Sequence, residues 1–253
     1  MGRDYESFSS LNMFKRCPRQ YYYRYVKGLK QPPSGALILG GSAHEGLEFD
    51  MKEKMITKEN TPTEKVKAAF ADSYEKKIES NGGKSSIDWG KDKPGLLKDK
   101  GVKMIEVYNT QRSIELDPKM VEQKFELTLT GNKKIIGRID MIETDNSMLD
   151  WKTSSRKKNQ NAIDHSEQLL LYQLANKNVS ELRIETLVRY KKKAPIYQVL
   201  KRPPATENEL SIVKENLFQT LEAIEKGIFW RCNPDNWWCH PNYCGYYNKC
   251  KKK

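Results

Sequence analysis

The alternation of apolar and polar residues predicts three strands in the middle of the chain. Apolar residues alternate with polar ones over 125–129, a Gly-Asn pair at 131–132 predicts a turn, and apolar positions resume over 135–142. A third strand is predicted at 147–153. Because successive side chains of a strand point to opposite faces, residues two apart share a face. The pattern therefore predicts a hairpin that feeds a third strand.

Helices are predicted on the N-terminal side of these strands. Residues 8–28 are predicted as a helix after Ser9 or Ser10, and residues 36–55 as a second helical segment. Residues 62–115 are polar and rich in Lys and Glu. We interpret this stretch as a helical insertion over the functional cleft.

Helices and strands alternate again on the C-terminal side. A helix is predicted at 161–176, with strands near 182–190 and 195–201. Thr206 and Glu209 have the spacing of a capping box at the start of another helix. That helix carries an apolar stripe, which we assign to the core: Leu210, Val213, Leu217, Leu221 and Ile224. The order of elements predicts an α/β protein.

Charge indicates the kind of partner. Among 253 residues, Lys and Arg exceed Asp and Glu by 45 − 33 = 12, which gives a pI of about 9.3. Such a chain is expected to meet a polyanion, although a generally basic, solvated surface is the alternative. No stretch approaches the roughly 18 apolar residues of a membrane span. We therefore expect a soluble protein of the cytoplasm (the host-cell cytoplasm if viral) with no membrane partner.

Two short strings carry the candidate chemistry. Gly-Arg-Ile-Asp ends at Asp140, and Leu-Asp-Trp-Lys-Thr contains Asp150 and Lys152. On a strand, Asp150 and Lys152 share a face, with about 7 Å between their positions. The carboxylates of Asp140 and Asp150 could hold a divalent ion, which would stabilise charge on an attacked phosphate. Lys152 could position water or neutralise the developing charge.

The order of these fragments is more informative than any one of them. An Asp-x-Lys triplet arises often by chance in a chain that is 31% charged, where it marks a solvated strand edge. Here Asp140 precedes the triplet, and Gln168 and Tyr172 follow it at a spacing that places both on one helical face. The ordered set predicts a metal-dependent nuclease centre.

The set resembles the RecB-like branch of the PD-(D/E)XK nuclease superfamily, which includes the Cas4 and AddB nuclease domains. The resemblance covers most of the chain and implies a restriction-endonuclease-like core, a central mixed sheet flanked by helices. It implies Asp140 and Asp150 as ligands of Mg²⁺ or Mn²⁺, and Lys152 as the catalytic lysine. The backbone carbonyl of Trp151 is a further implied ligand.

Residues around this core match other parts of the family pattern. An upstream histidine often completes the metal shell, and His44, in Gly-Gly-Ser-Ala-His-Glu-Gly, matches its usual context. A lone helical histidine is otherwise more often a capping or packing residue. Gln168 and Tyr172 match the motif beside the active site and would orient the substrate backbone. Glu122 is a secondary candidate for an extra metal contact.

Five cysteines suggest a second metal site. Cys17 stands alone near the N-terminus, whereas four others crowd into the C-terminal stretch: Cys232, Cys239, Cys244 and Cys250. An odd number of cysteines and no hydrophobic signal segment disfavour a secreted disulfide framework. Thiolates around zinc or an iron–sulfur cluster fit a reducing compartment better, and spacing alone leaves both open.

The same resemblance bears on the type of cysteine site. Many RecB-like nucleases carry one cysteine before the core and three after it, which bind a [4Fe–4S] cluster. Cys17 matches the first position, and Cys239, Cys244 and Cys250 match the trio, which leaves Cys232 as the spare. The expected iron–sulfur lobe comprises residues 229–253 with Cys17, and its expected role is to clasp the two chain ends.

Two basic segments are candidate nucleic-acid contacts. In the first, cations interleave with aromatics that could either stack on bases or pack the first helix: Arg16, Arg19, Tyr21, Tyr22, Tyr23, Arg24, Tyr25 and Lys27. The second ends a predicted strand and could track a nucleic-acid strand: Arg189, Lys191, Lys192 and Lys193.

These observations predict one nuclease domain, 1–253, with its insertion and cysteine lobe. We expect a Mg²⁺- or Mn²⁺-dependent deoxyribonuclease, most simply an exonuclease on single-stranded DNA ends in recombination, repair or replication. One alternative is the nuclease component of a helicase–nuclease or CRISPR adaptation complex; with no P-loop motif, any motor would be another chain. A non-catalytic nucleic-acid-binding module is the alternative of a different class.

Overall fold

A computed structural model describes residues 3–130 and 133–251. The helices are α1 (Phe8–Arg16), α2 (Pro18–Tyr21), α3 (Gly35–Thr57), α4 (Thr63–Ser80), α5 (Pro94–Gln111), α6 (Asn161–Asp164), α7 (Glu167–Ala175), α8 (Glu207–Glu225) and α9 (Tyr247–Lys251). The strands are β1 (Tyr5–Glu6), β2 (Pro118–Thr130), β3 (Lys133–Glu143), β4 (Met148–Ser154), β5 (Leu182–Val188) and β6 (Ile196–Arg202). A π-helical turn follows α2, and short 3₁₀ turns precede and follow α5.

The chain divides into two compact units. The terminal unit comprises Met1–Gln31, Lys124–Gly137 and Ala205–Lys253, and the central unit comprises Pro32–Gln123 and Arg138–Pro204. The predicted carboxylate, lysine and histidine site residues all belong to the central unit, and all five cysteines belong to the terminal unit.

The sheet is mixed. Its strand order is β1-β3-β4-β5-β6, with β2 also paired to β3. In the central unit β3 and β4 pair antiparallel, β4 and β5 pair parallel from Met148↔Leu182 to Ser154↔Val188, and β5 and β6 pair antiparallel. Strand β5 is buried along its whole length, as expected of a strand covered on both faces. The predicted mixed sheet with flanking helices is confirmed.

Helices α3, α4 and α5 bury their apolar side chains in one core with the central strands. Phe70 of α4 and Ile105 of α5 are fully buried there, together with Trp151 of β4. A Cβ at Gly101 would lie 2.1 Å from the Phe70 ring, so only glycine allows α5 to approach α4 so closely. The stretch predicted as an insertion, 62–115, is therefore helical and contributes to the core beneath the sheet.

The terminal unit brings segments from both ends of the chain together around aromatic side chains. The ring of Tyr21, fully buried, stacks on Phe229 at 6.0 Å, and Phe14 contacts both. The Tyr246 hydroxyl donates to the carbonyl of Leu29. Packing is thus the role that the structure shows for Tyr21.

Several predicted elements match, and the first helix shows where local pattern fails. The capping box at Thr206 forms, and the whole apolar stripe of α8 is buried. The first helix is capped by Ser7 instead of Ser9 or Ser10. It also stops at Cys17, which is extended, because the residue before a proline is disfavoured in the helical region and Pro18 follows.

The helix predicted at 161–176 is likewise divided. Between α6 and α7, Ser166 is extended, and its side chain accepts a hydrogen bond from the Leu169 backbone N–H as a new N-cap. The predicted Gly131–Asn132 turn lies outside the described residues. Within the described part of the chain, the helices are too short or too polar to cross a membrane.

Candidate metal centre and cysteine cavity

Asp140 is a buried carboxylate that the sheet backbone holds in place. It lies near the end of β3 and is 6% exposed. Its Oδ2 accepts a hydrogen bond from the Trp151 backbone N–H on the adjacent strand at 2.7 Å. The same oxygen lies 3.5 Å from Nδ1 of His44. The hydrogen bond fixes the carboxylate on the sheet and leaves its other oxygen available to a ligand.

His44 reaches Asp140 from α3. A Cβ at Gly40, one turn earlier, would lie 3.2 Å from Oγ1 of Thr153, so the glycine lets the helix lie close to β4. The imidazole contacts the Trp151 ring edge-on at 6.3 Å and is half-buried. The predicted proximity of His44 to Asp140 and Trp151 is therefore present.

Glu122 completes the group. Nitrogen or oxygen atoms of His44, Glu122 and Asp140 all lie within 4.8 Å of one another, the one such group of three potential ligands among the described residues. Glu122 has φ 54°, in the left-handed region that non-glycine residues rarely adopt. Such strain is characteristic of functional sites. The sequence indicated Glu122 only as a secondary candidate, after Asp150. No local sequence pattern marks the left-handed conformation of Glu122.

The electrostatics of this group favour a cation. Burial, reinforced by the charge of Asp150, raises the pKa of Asp140 well above its ordinary value. Burial and the charge of Glu48 also raise the pKa of Glu122. Burial lowers the pKa of His44, which keeps the imidazole neutral, the form that ligates metals. Two carboxylates with raised pKa values and a neutral imidazole are a donor set that a divalent ion fits.

Asp150 belongs to a second, contiguous chain of polar groups. Its Oδ2 lies 2.6 Å from Nζ of Lys152, which also donates to Oε1 of Gln168 at 2.9 Å. Nε2 of Gln168 in turn donates to the Tyr172 hydroxyl at 2.6 Å. The four residues that the sequence predicted on one strand face and one helical face are thus connected, with Asp150 buried and Lys152 partly exposed.

A buried network that sequence reasoning missed supports the site from below. The Trp151 indole N–H donates to the Tyr108 hydroxyl at 2.9 Å, and Tyr108 donates to Glu185 of β5. Nε of Arg112 lies 3.1 Å from both carboxylate oxygens of Glu185. This network orients Trp151, whose N–H holds Asp140. A glutamate in the β-branched and apolar run Ile184 to Val188 was the available signal, because a buried charge requires a partner.

The cysteines of the terminal unit face a common cavity of about 250 Å³. All five line it, including Cys232, which sequence reasoning set apart. Three cations also line the cavity, Arg19, Arg231 and Lys251. Positive charge around thiolates stabilises an anionic metal site.

Cys232 contacts two of the predicted ligands. Burial, together with hydrogen bonds to Cys17 and Cys239, raises its pKa to about 12. Cys232 therefore lies in the same group of thiols as the predicted ligands.

Comparison with known proteins agrees with this geometry. The family model of the PD-(D/E)XK nuclease superfamily matches residues 6–251. A crystal structure named "Putative exonuclease" from Eubacterium rectale is similar, with a TM-score of 0.60 and 14% identity over 90% of this chain and 85% of that one. The crystal structure of SSO0001 aligns over 96% of this chain and 95% of its own at 14% identity, with a TM-score of only 0.39. No curated protein matches.

Proposed function

The chain belongs to the PD-(D/E)XK nuclease superfamily, and from this premise we propose that it is a Mg²⁺- or Mn²⁺-dependent deoxyribonuclease acting on single-stranded DNA ends. The observation that carries the proposal is the joint placement of the His44, Glu122 and Asp140 trio and the Asp150–Lys152 pair, which connect through the hydrogen-bonded backbone of Trp151. A binding module would not need two buried aspartates beside a lysine.

Specific residues would hold the divalent ion. We assign His44, Asp140 and Asp150 as ligands with the Trp151 carbonyl, and add Glu122 because it lies within the trio. A bound divalent ion supplies Lewis-acid stabilisation of phosphate charge and lowers the pKa of water. The raised pKa of Asp140 supports ligation, since a cation relieves the repulsion between that carboxylate and Asp150.

The remaining residues would handle the substrate. Lys152, partly exposed and held by Asp150 and Gln168, would neutralise charge that develops on the attacked phosphate or hold the attacking water. Gln168 and Tyr172 would keep the lysine ammonium aimed at that position and contact the substrate backbone. Two hydrogen-bond acceptors restrict the rotamers of Lys152, so its side chain would lose little further conformational entropy when the reaction occurs.

The cysteine cavity would hold a [4Fe–4S] cluster through Cys17, Cys239, Cys244 and Cys250. The surrounding cations would stabilise an anionic centre ligated by thiolates, and the resemblance of the cysteine pattern to that of RecB-like nucleases favours a cluster over a single zinc ion. Cys17 lies on one chain end and the other three on the opposite end, so a cluster would cross-link the terminal unit. Its contribution would be to folding, because metal-binding energy is also folding energy.

Two observations support action on free ends of a single strand. The similar crystal structure carries the name of a putative exonuclease, and the net charge of +12 suits binding to the phosphates of single-stranded DNA. We place the activity in recombination, repair or replication, where such ends arise.

The test compares linear and circular substrates. Purified protein is incubated with end-labelled linear single strands, duplexes and covalently closed single-stranded circles, with Mg²⁺, Mn²⁺ or EDTA. We expect metal-dependent loss of linear strands while circles survive. If circles are degraded as fast as linear strands, the protein is an endonuclease and not an exonuclease. If it binds DNA but cleaves it with neither metal, it is a non-catalytic nucleic-acid-binding module.

A further inference from the structure

Two loops of the central unit begin side by side at one edge of the sheet. Strands β4 and β5 are parallel, so residues 155–160 and residues 189–195 both leave the carboxyl ends of paired strands. The Arg189 backbone N–H donates to the Ser154 carbonyl at 2.8 Å, which joins the two loops at their first residues. The first loop is also held on β6, because Lys158 exchanges two hydrogen bonds with the Gln198 side chain at 2.8 and 2.9 Å.

The charged residues of the two loops are all basic. Neither loop contains Asp or Glu, and six of their cations are exposed and form no ion pair with a carboxylate of the described residues: Arg156, Lys157, Lys158, Lys191, Lys192 and Lys193. We call these six residues the basic edge. Arg189 is excluded, because it is paired with Asp92 at 3.1 Å.

Some lysines elsewhere in the central unit are paired with carboxylates. On α3 and α4, Lys52 and Lys77 lie against Glu48 and Glu45, and Lys98 of α5 lies 2.8 Å from Glu75. The basic edge differs because two adjoining loops without Asp or Glu bring six exposed cations together. Like charges held this close repel one another, and a bound polyanion would relieve that repulsion.

The position of the edge relates it to the metal centre. Asp150 and Ser154 are four residues apart on β4, a separation of roughly 13 Å at 3.3 Å per residue. The edge thus begins a few phosphates of a single strand away from the bond at the metal centre.

We propose that the basic edge is a phosphate-binding surface that holds the DNA backbone a few nucleotides from the bond that is cleaved. The proposal rests on the proposed nuclease function, and it names the part of the substrate that the metal centre does not contact. Its ligand is the sugar–phosphate backbone, so binding should be independent of sequence and sensitive to salt.

Binding is measured in EDTA, which prevents cleavage, by anisotropy of a labelled 20-nucleotide single strand over a range of salt concentrations. Two variants each neutralise one loop, Arg156→Gln/Lys157→Gln/Lys158→Gln and Lys191→Gln/Lys192→Gln/Lys193→Gln, and a third combines them. The matched control, Lys65→Gln/Lys76→Gln/Lys103→Gln, removes the same charge from exposed positions of α4 and α5.

Each phosphate contact contributes about 0.7 to the slope of log K against log salt for a single strand. Each loop variant should therefore lower the slope by about 2 and the combined variant by about 4, with at least a ten-fold loss of affinity, while the control stays near wild type. A control that loses as much slope as a loop variant would overturn the proposal, because net charge would then explain the effect.

Hydrolysis separates this proposal from the proposed function. With Mn²⁺, bis(p-nitrophenyl) phosphate reaches the metal centre but is too short for the basic edge, so the combined variant should cleave it at the wild-type rate while its KM for long strands rises at least ten-fold. Equal loss on both substrates would refute a separate binding surface. If wild type cleaves neither, the nuclease proposal fails while the salt-slope result still decides the basic edge.

Discussion

The metal centre and the cysteine cavity hold their reactive groups in opposite ways. At the metal centre, Asp140 and Asp150 stand on paired strands, and a backbone hydrogen bond from Trp151 fixes Asp140 at 2.7 Å. In the cavity, Cys17 sits at a helix break, and Cys239 and Cys244 lie in turns of an irregular segment. The first site is preorganised by the sheet, whereas the second has little regular structure of its own.

This difference predicts different consequences of losing a ligand. Losing a ligand from a preorganised site on a buried sheet should lower activity and leave the protein folded, because the fold does not depend on that ligand. Losing a ligand from a site on irregular segments should lower stability, because the bound group supplies folding energy. Each prediction below tests one side of this contrast.

The largest effect is expected at Asp140. Asp140→Asn keeps an oxygen that can accept from the Trp151 N–H but removes the ligand charge. Cleavage should fall by about 10³-fold, the range for loss of one electrostatic partner at a reacting centre, and Asp150→Ala and Lys152→Ala should behave similarly. Turnover on labelled single strands and the thermal midpoint are measured together.

The control is Glu45→Gln, on the same helix as His44 and paired with Lys77 at the surface. It should retain wild-type turnover. An Asp140→Asn protein that cleaves normally would contradict the assigned site, and one that loses its thermal transition would contradict preorganisation by the sheet.

The cysteine cavity should respond through stability. Cys17→Ser, Cys239→Ser, Cys244→Ser or Cys250→Ser should lose iron and lower the thermal midpoint by several degrees, as expected for about 1–2 kcal/mol or more in a chain of this size. Iron content and visible absorption of anaerobically purified protein are the measurements. Colourless protein that contains zinc would overturn the cluster while keeping the cross-link.

Cys232→Ser is the matched variant within the same cavity. The sequence marks it as the spare thiol, and we expect iron content near wild type. Because Cys232 contacts Cys17 and Cys239, iron loss equal to that of Cys17→Ser would instead identify it as a ligand.

The smallest effect is expected at Glu122, where the structure and the sequence ranked the ligands differently. Glu122→Gln should raise the Mn²⁺ concentration for half-maximal activity by about ten-fold, the lower range for loss of a supporting group at a metal site. Glu126→Gln, on the same strand and paired with Lys134 at the surface, is the control. Unchanged metal dependence in Glu122→Gln would remove this residue from the ligand set.

Local periodicity allowed much of the fold and half of the site to be predicted from the sequence. The capping box at Thr206 and the apolar stripe of α8 depend on residues three or four apart. The pairing of Asp150 with Lys152 follows from the two-residue period of a strand. These interactions operate within a few residues, so the printed order of side chains determines them.

Tertiary structure decided the rest. The trio of His44, Glu122 and Asp140 draws on α3, β2 and β3, and no short-range pattern states how a helix and two strands meet. The left-handed backbone of Glu122 and the buried hydrogen bond from Trp151 to Tyr108 also depend on contacts between segments far apart in the sequence. Burial and charge act between residues far apart in sequence, so the geometry of the candidate ligands exists only once the core has formed, whereas the candidates themselves were predicted from the sequence.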